Sequence, residues 1–156
     1  DFRARNVNIR TSMIVNRPRD QVYAFWRRLE NLPLFMKHLR KVEVVDERHS
    51  EWTAALPGDM GTVSWRGEIV KDDRGDTLSW HSLRGSSIED AGKIRFRDSK
   101  TSGTQVDVVI SYHAPLGVLG EKAGRLLNPL FHDMVEEDVR NFKEYIERAG
   151  IPAGTR

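Results

Sequence analysis

Near Pro115 the apolar residues of this chain stop alternating and begin to recur every three or four positions, and no other feature restricts the fold as much. Downstream, Leu119, Ala123, Leu126, Leu130, Met134, Val135, Val139, Phe142 and Ile146 mark one stripe of a helix running from about Leu119 to Ala149. A helix that long with one apolar face needs a large surface to cover it. The upstream spacing supplies one. Val7, Ile9, Thr11, Met13 and Val15 occupy alternate positions, as do Val63, Trp65, Gly67 and Ile69, and later Val106, Val108, Ile110 and Tyr112. Leu78 with Trp80 and Ile94 with Phe96 repeat the pattern. Period-two alternation marks strands buried on one side.

Punctuation divides the rest. Asn16-Arg17-Pro18 ends the first strand, because proline removes a ladder donor and suits the first turn of a helix. A helix is expected over Pro18 to Leu29, with Val22, Phe25, Trp26 and Leu29 on one face. Asn31-Leu32-Pro33 breaks it, and Leu32 to Met36 reads as a second short helical turn. Strands follow over Leu39 to Arg48, Glu51 to Leu56, Thr62 to Lys71, Thr77 to Leu83, around Ile94 and Phe96, and Thr104 to His113. Their turns are too short for helical crossovers, so neighbours pair antiparallel. The expectation is one α+β domain over residues 1–156: strand, two short helices, six strands, long helix. Asn128-Pro129 inside the last stripe predicts a restart or kink there. Residues 150–156 read as a loose tail.

Composition narrows the chemistry. The chain has no Cys, which excludes disulfides, thiolate zinc sites and a cysteine nucleophile. No apolar run is long enough to span a bilayer and no signal-peptide pattern opens the chain; a cytoplasmic location, with membrane association left open, is the expectation. A first residue other than Met is what a processed or excised chain would show. Residues 1–48 carry eleven Lys and Arg against six Asp and Glu, an excess that suits a phosphate, an anionic lipid surface or an acidic partner. A solvated surface is the plainer reading, since acidic residues interleave. No nucleic-acid partner is expected.

No hydrolase, nucleotide-binding or zinc-protease motif is present, so neither cofactor nor metal is expected. His38, His49 and His132 lack ligand spacing, and the run Glu136-Glu137-Asp138 fans around its helix, pointing to ion pairs with Arg140 or a first-strand arginine. Strand parity sets Trp65, Trp80, Phe96 and Tyr112 on the sheet face that meets the long helix, where Phe131, Met134 and Val135 oppose them. These seven are the candidate ligand-binding residues. Plain core packing is the competing reading for each. Arg66, Glu68 and His81 have the opposite parity and are expected in solvent-facing salt bridges. Tyr112 is the single candidate for donating a hydrogen bond during catalysis.

The stretches Val15-Asn16-Arg17-Pro18, Val22-Tyr23-Ala24-Phe25-Trp26 and Leu29-Glu30-Asn31-Leu32-Pro33-Leu34-Phe35-Met36-Lys37-His38-Leu39 carry a family resemblance, as do Trp65-Arg66-Gly67-Glu68-Ile69, Trp80-His81-Ser82-Leu83, Gly92-Lys93-Ile94-Arg95-Phe96 and Glu137-Asp138-Val139-Arg140-Asn141-Phe142-Lys143. In that order they resemble the START/Bet v 1-like (SRPBCC) superfamily, in its bacterial polyketide cyclase/dehydrase-type branch. The resemblance implies a helix-grip fold, a curved antiparallel sheet of about seven strands wrapped around a long C-terminal helix, with a cavity between them. It also implies binding of a hydrophobic small molecule such as a lipid, an aromatic or a polyketide-like compound. Two rivals follow: a polyketide cyclase/dehydratase-type enzyme, and an interaction module with a filled interior docking a protein or membrane surface through Arg17 and Arg19. Attachment to a membrane segment and a homodimer are further arrangements left open. Either ligand reading needs a cavity on the order of 300 Å³.

Overall fold

The computed structural model describes residues 7–59, 61–86, 88–113 and 121–149, without the side chains of residues 7, 57, 113, 121–129, 131 and 149. The expected tail, residues 150–156, lies outside them. Strand β1 (Val7–Val15) leads into helix α1 (Arg19–Arg27) and a 3-10 helix (Leu29–Leu34). Six strands follow: β2 (Leu39–Val44), β3 (His49–Ala55), β4 (Thr62–Asp73), β5 (Thr77–Ser82), β6 (Glu89–Asp98) and β7 (Thr104–His113). Helix α2 (Glu121–Ala149) closes the chain. The sheet order is β1-β7-β6-β5-β4-β3-β2, every neighbouring pair antiparallel. This is the helix-grip architecture, a curled seven-stranded sheet holding the C-terminal helix.

Two expectations about helices change. The first is shorter than Pro18 to Leu29, because Asn31 Nδ2 donates to the Phe25 carbonyl at 2.9 Å and the chain tightens into the 3-10 helix around Pro33. Helix α2 does not restart at Asn128-Pro129; its helical assignment is continuous from Glu121 to Ala149.

The second half of α2 is held by an apolar stripe and by polar clamps. Val135, Val139, Phe142 and Ile146 are buried, spaced four, three and four apart so that they share one face. Phe142 packs edge-on to Trp26 (centroids 4.9 Å apart) and against Phe35 (5.1 Å) and Phe25 (6.0 Å). Such ring pairs contribute about 0.5–1.5 kcal/mol each beyond their buried area. Polar clamps finish the junction. The Asn16 N–H and the Lys143 ammonium both donate to Glu147 Oε2, at 2.7 and 2.8 Å, and Arg17 donates to the Glu147 carbonyl at 2.7 Å. Arg17 is therefore committed to joining β1 and α2.

The sheet bends through irregular pairing between Leu39 and Lys41 and between Ile69 and Lys71. Gly103 closes the β6–β7 turn at φ +78°; a Cβ there would lie 2.2 Å from the Val15 carbonyl oxygen, so only glycine fits.

Candidate functional site

Beside the aromatic cluster, the sheet and the middle of α2 leave a partly open space of about 50 Å³. Trp52, Trp65, Trp80, Ile110 and Tyr112 form its sheet wall, and Val135 its helix wall. Trp26, Leu32, Met36, His38 and Leu39 close one side, with Ile88 and Asp90 at the start of β6. All four tryptophans of the chain thus border one cavity. Trp52 and Trp65, directly opposed in the β3–β4 ladder, stack at 6.1 Å and 21°. The cavity is smaller than the ligand readings require: about 50 Å³ admits a water or two, so a larger guest must displace a side chain.

The seven candidate residues separate. Trp65, Trp80, Tyr112 and Val135 border the cavity. Phe96 has the expected parity but lies further along β6, where it meets Tyr23 edge-on at 5.7 Å and is fully buried in packing. Met134 packs against the core without lining the space. The Phe131 side chain lies outside the described residues. Trp26 and Trp52 were not among the candidates, although Trp52 shares parity with buried Ser50 and Ala54.

Three ionisable groups also border the cavity. Asp90 stands directly across from Tyr112 in the β6–β7 ladder. Burial pushes the Asp90 carboxyl up to about 7, against a lowering hydrogen bond from the Trp80 side chain. Tyr112 is driven well above its ordinary value by burial and then by the Asp133 charge. His38 is the third. Its backbone N–H donates to Asp138 Oδ2 at 2.8 Å and its ring Nδ1 contacts the same oxygen, with both side chains buried. Asp138 therefore does not pair with Arg140 or a first-strand arginine as the acidic run suggested; it staples the His38 loop to α2. Asn141 Nδ2 adds a bond to the Phe35 carbonyl at 3.2 Å.

Asp90 and Tyr112 also border an open cleft of about 490 Å³ on the other side, with Ser82, Arg84 and Glu89. The two residues thus stand between the cleft and the interior. Buried Trp26 Nε1 has no hydrogen-bond partner among the described residues.

On the opposite sheet face, Glu68 meets His81 Nε2 at 3.1 Å and His49 Nε2 at 3.4 Å, while Arg66 lies 3.6 Å from Glu51. The His81 hydrogen bond holds the Glu68 carboxyl below its usual range. These are surface pairs, remote from the cavity. Among the described residues there is no cluster of metal-binding side chains and no helix long and apolar enough to cross a membrane.

Comparison with known proteins agrees with this architecture. A crystal structure of DR_A0006 from Deinococcus radiodurans is 35% identical, with a TM-score of 0.72 over 92% of this chain and 98% of that one. TTHA0849 from Thermus thermophilus is 23% identical at a TM-score of 0.75, covering 92% and 99%. The Zhui aromatase/cyclase from a Streptomyces species shares the fold at 13% identity, with a TM-score of 0.67 over 93% and 98%. No curated protein sequence matches. The family described as polyketide cyclase/dehydrase and lipid transport matches residues 15–143, from the end of β1 through most of α2. That span contains every described residue of the cavity wall, and the chain belongs to this family.

Proposed function

We propose that this domain binds a hydrophobic small molecule, a lipid, an aromatic or a polyketide-like compound, between the sheet and α2. The observation that carries the reading is the convergence of all four tryptophans on one cavity. Because the space is only about 50 Å³, binding must widen it. The cleft outside Asp90 and Tyr112 provides a route.

A second reading, catalysis of the cyclase or dehydratase type, is favoured by Asp90, Tyr112 and His38 bordering the same cavity, since such reactions need an acid and a base beside a carbonyl. Native mass spectrometry of gently purified protein distinguishes binding from a filled interior. An apolar adduct, retained less well by Trp65→Ala, supports binding. Protein free of adduct that also takes up no added aromatic compound leaves only the filled interaction module.

A further inference from the structure

The outward face of the sheet, turned away from the cavity, treats its charges differently in its two halves. Towards β2 they are paired. Lys41 lies 2.9 Å from Glu43, Arg66 3.6 Å from Glu51 and Lys71 3.5 Å from Asp73, while Glu68 takes both His81 and His49. On β1, β7 and β6 they are not. Strand register sets Arg10 and Lys93 on either side of Val109, and Ile14 and Arg97 on either side of Gln105. Between those rows Asp107 stands opposite Arg95. All four cations are exposed. Asp107 is already engaged by Arg97, Ser12 and Gln105. Arg10, Lys93 and Arg95 have no ion-pair partner among the described residues.

Four cations against one carboxylate leave an excess of three positive charges on this patch. Neighbouring strands lie about 4.8 Å apart and alternate residues about 6.8 Å, so these charges stand within roughly one Debye length of one another. Like charges side by side on a sheet face repel and destabilise it. An anion laid over the patch relieves that repulsion. We infer that the outward face of β1, β7 and β6, centred on Arg10, Lys93 and Arg95, docks on an anionic lipid bilayer. This goes beyond the binding reading and does not depend on it, because the cavity lies on the other face of the sheet.

The neighbours of the cations select the partner. No aromatic side chain shares these rows, so nothing there stacks a nucleobase as single-strand binders do. A specific protein interface centres on a buried aromatic or aliphatic anchor, and here the centre is charged. A lipid surface needs neither, only several basic side chains brought within a Debye length of its headgroups. Ile14, 48% exposed at the corner of the patch, adds an apolar contact. The basic pair at the end of β1 is not this surface. Arg17 donates to the Asn16 and Glu147 carbonyls, and Arg19 lies 3.6 Å from Asp98.

Co-sedimentation of the purified chain with two kinds of vesicle tests this: pure phosphatidylcholine, and phosphatidylcholine with about 30% phosphatidylglycerol. At about 50 mM salt the partition into anionic vesicles should exceed that into neutral ones at least tenfold, and about 500 mM salt should abolish the difference. Lys93→Glu with Arg95→Glu should lower anionic partition by about tenfold or more. Lys41→Glu with Arg66→Glu changes net charge equally on the paired half and should lower it by less than about threefold. Equal binding to the two vesicles, or none to either, overturns the inference. So does a loss that is as large in the Lys41/Arg66 variant as in the Lys93/Arg95 variant. A chain that ignores both vesicles yet binds polyglutamate or a single-stranded oligonucleotide uses the patch for a soluble polyanion, which also overturns it. The vesicle comparison in the unaltered chain decides the matter even if a reversed variant fails to fold.

Discussion

Gly92 is where the cavity wall depends on a missing side chain. It lies opposite Trp80 in the β5–β6 ladder and opposite Ile110 in the β6–β7 ladder. A Cβ on Gly92 would sit 2.1, 2.4 and 2.7 Å from Cζ2, Cε2 and Cη2 of the Trp80 indole. Carbon atoms rest at about 3.5–4.0 Å, so Gly92→Ala forces the ring aside by more than an ångström. Two effects oppose each other. Replacing a strand glycine by alanine gains about 0.5–1 kcal/mol through the unfolded chain. Overpacking a close-packed wall costs about 1–3 kcal/mol. Packing should win, leaving a net loss of about 1–2 kcal/mol and a fall in Tm of roughly 2–4 °C per kcal/mol. Urea unfolding of Gly92→Ala, Trp80→Ala and the double variant measures this directly. In the Trp80→Ala background the clash is gone, so adding Gly92→Ala should become neutral or stabilising. The near-UV circular dichroism should change in Gly92→Ala alone, because an indole has moved. Gly92→Ala that stabilises the parent protein, with additive effects in the double variant, would refute the placement of Trp80 across the glycine.

Two further perturbations follow from the polar groups. The Asp90 carboxyl is raised from 3.8 to about 7 in the fold. Between those values the folded state therefore holds a proton that the unfolded state has lost, and stability falls as pH rises through the window. Asp90→Asn does not titrate, so urea unfolding should show it matching the parent near the lower value and exceeding it above the upper one; parallel pH curves would contradict the burial of Asp90. Asp138→Ala removes the acceptor of the His38 backbone N–H and should cost about 2–5 kcal/mol in urea unfolding. A loss under about 1 kcal/mol would mean the staple carries little.

The element order was legible because each strand keeps its parity and the last helix keeps its stripe. Parity fixes a side chain's face and leaves its position along the strand open. Phe96 and Trp80 therefore looked equivalent, though one packs under α1 beside Tyr23 and the other borders the cavity. Asp90 was hidden by a boundary. Its parity matches Ile94 and Phe96, but β6 begins at Glu89, several residues before the first apolar member of the alternation. Trp52 sits in a strand whose inward neighbours, Ser50 and Ala54, are too small to advertise burial. Asp138 was unreadable locally, since its partner His38 is a hundred positions away and only folding joins them. The size of the cavity depends on how four indoles pack, which alternation does not encode.

All four indole N–H groups belong to residues bordering the cavity, so they report on it collectively. A nitrogen–proton NMR titration with naphthol tests the central claim most directly. The account predicts that the indole signals of Trp26, Trp52, Trp65 and Trp80 move together and saturate with one dissociation constant, while the amide of Gly75, in the β4–β5 turn, stays in place. Indole signals that do not move at saturating naphthol, or that move only along with the Gly75 amide, would contradict a ligand site between the sheet and α2.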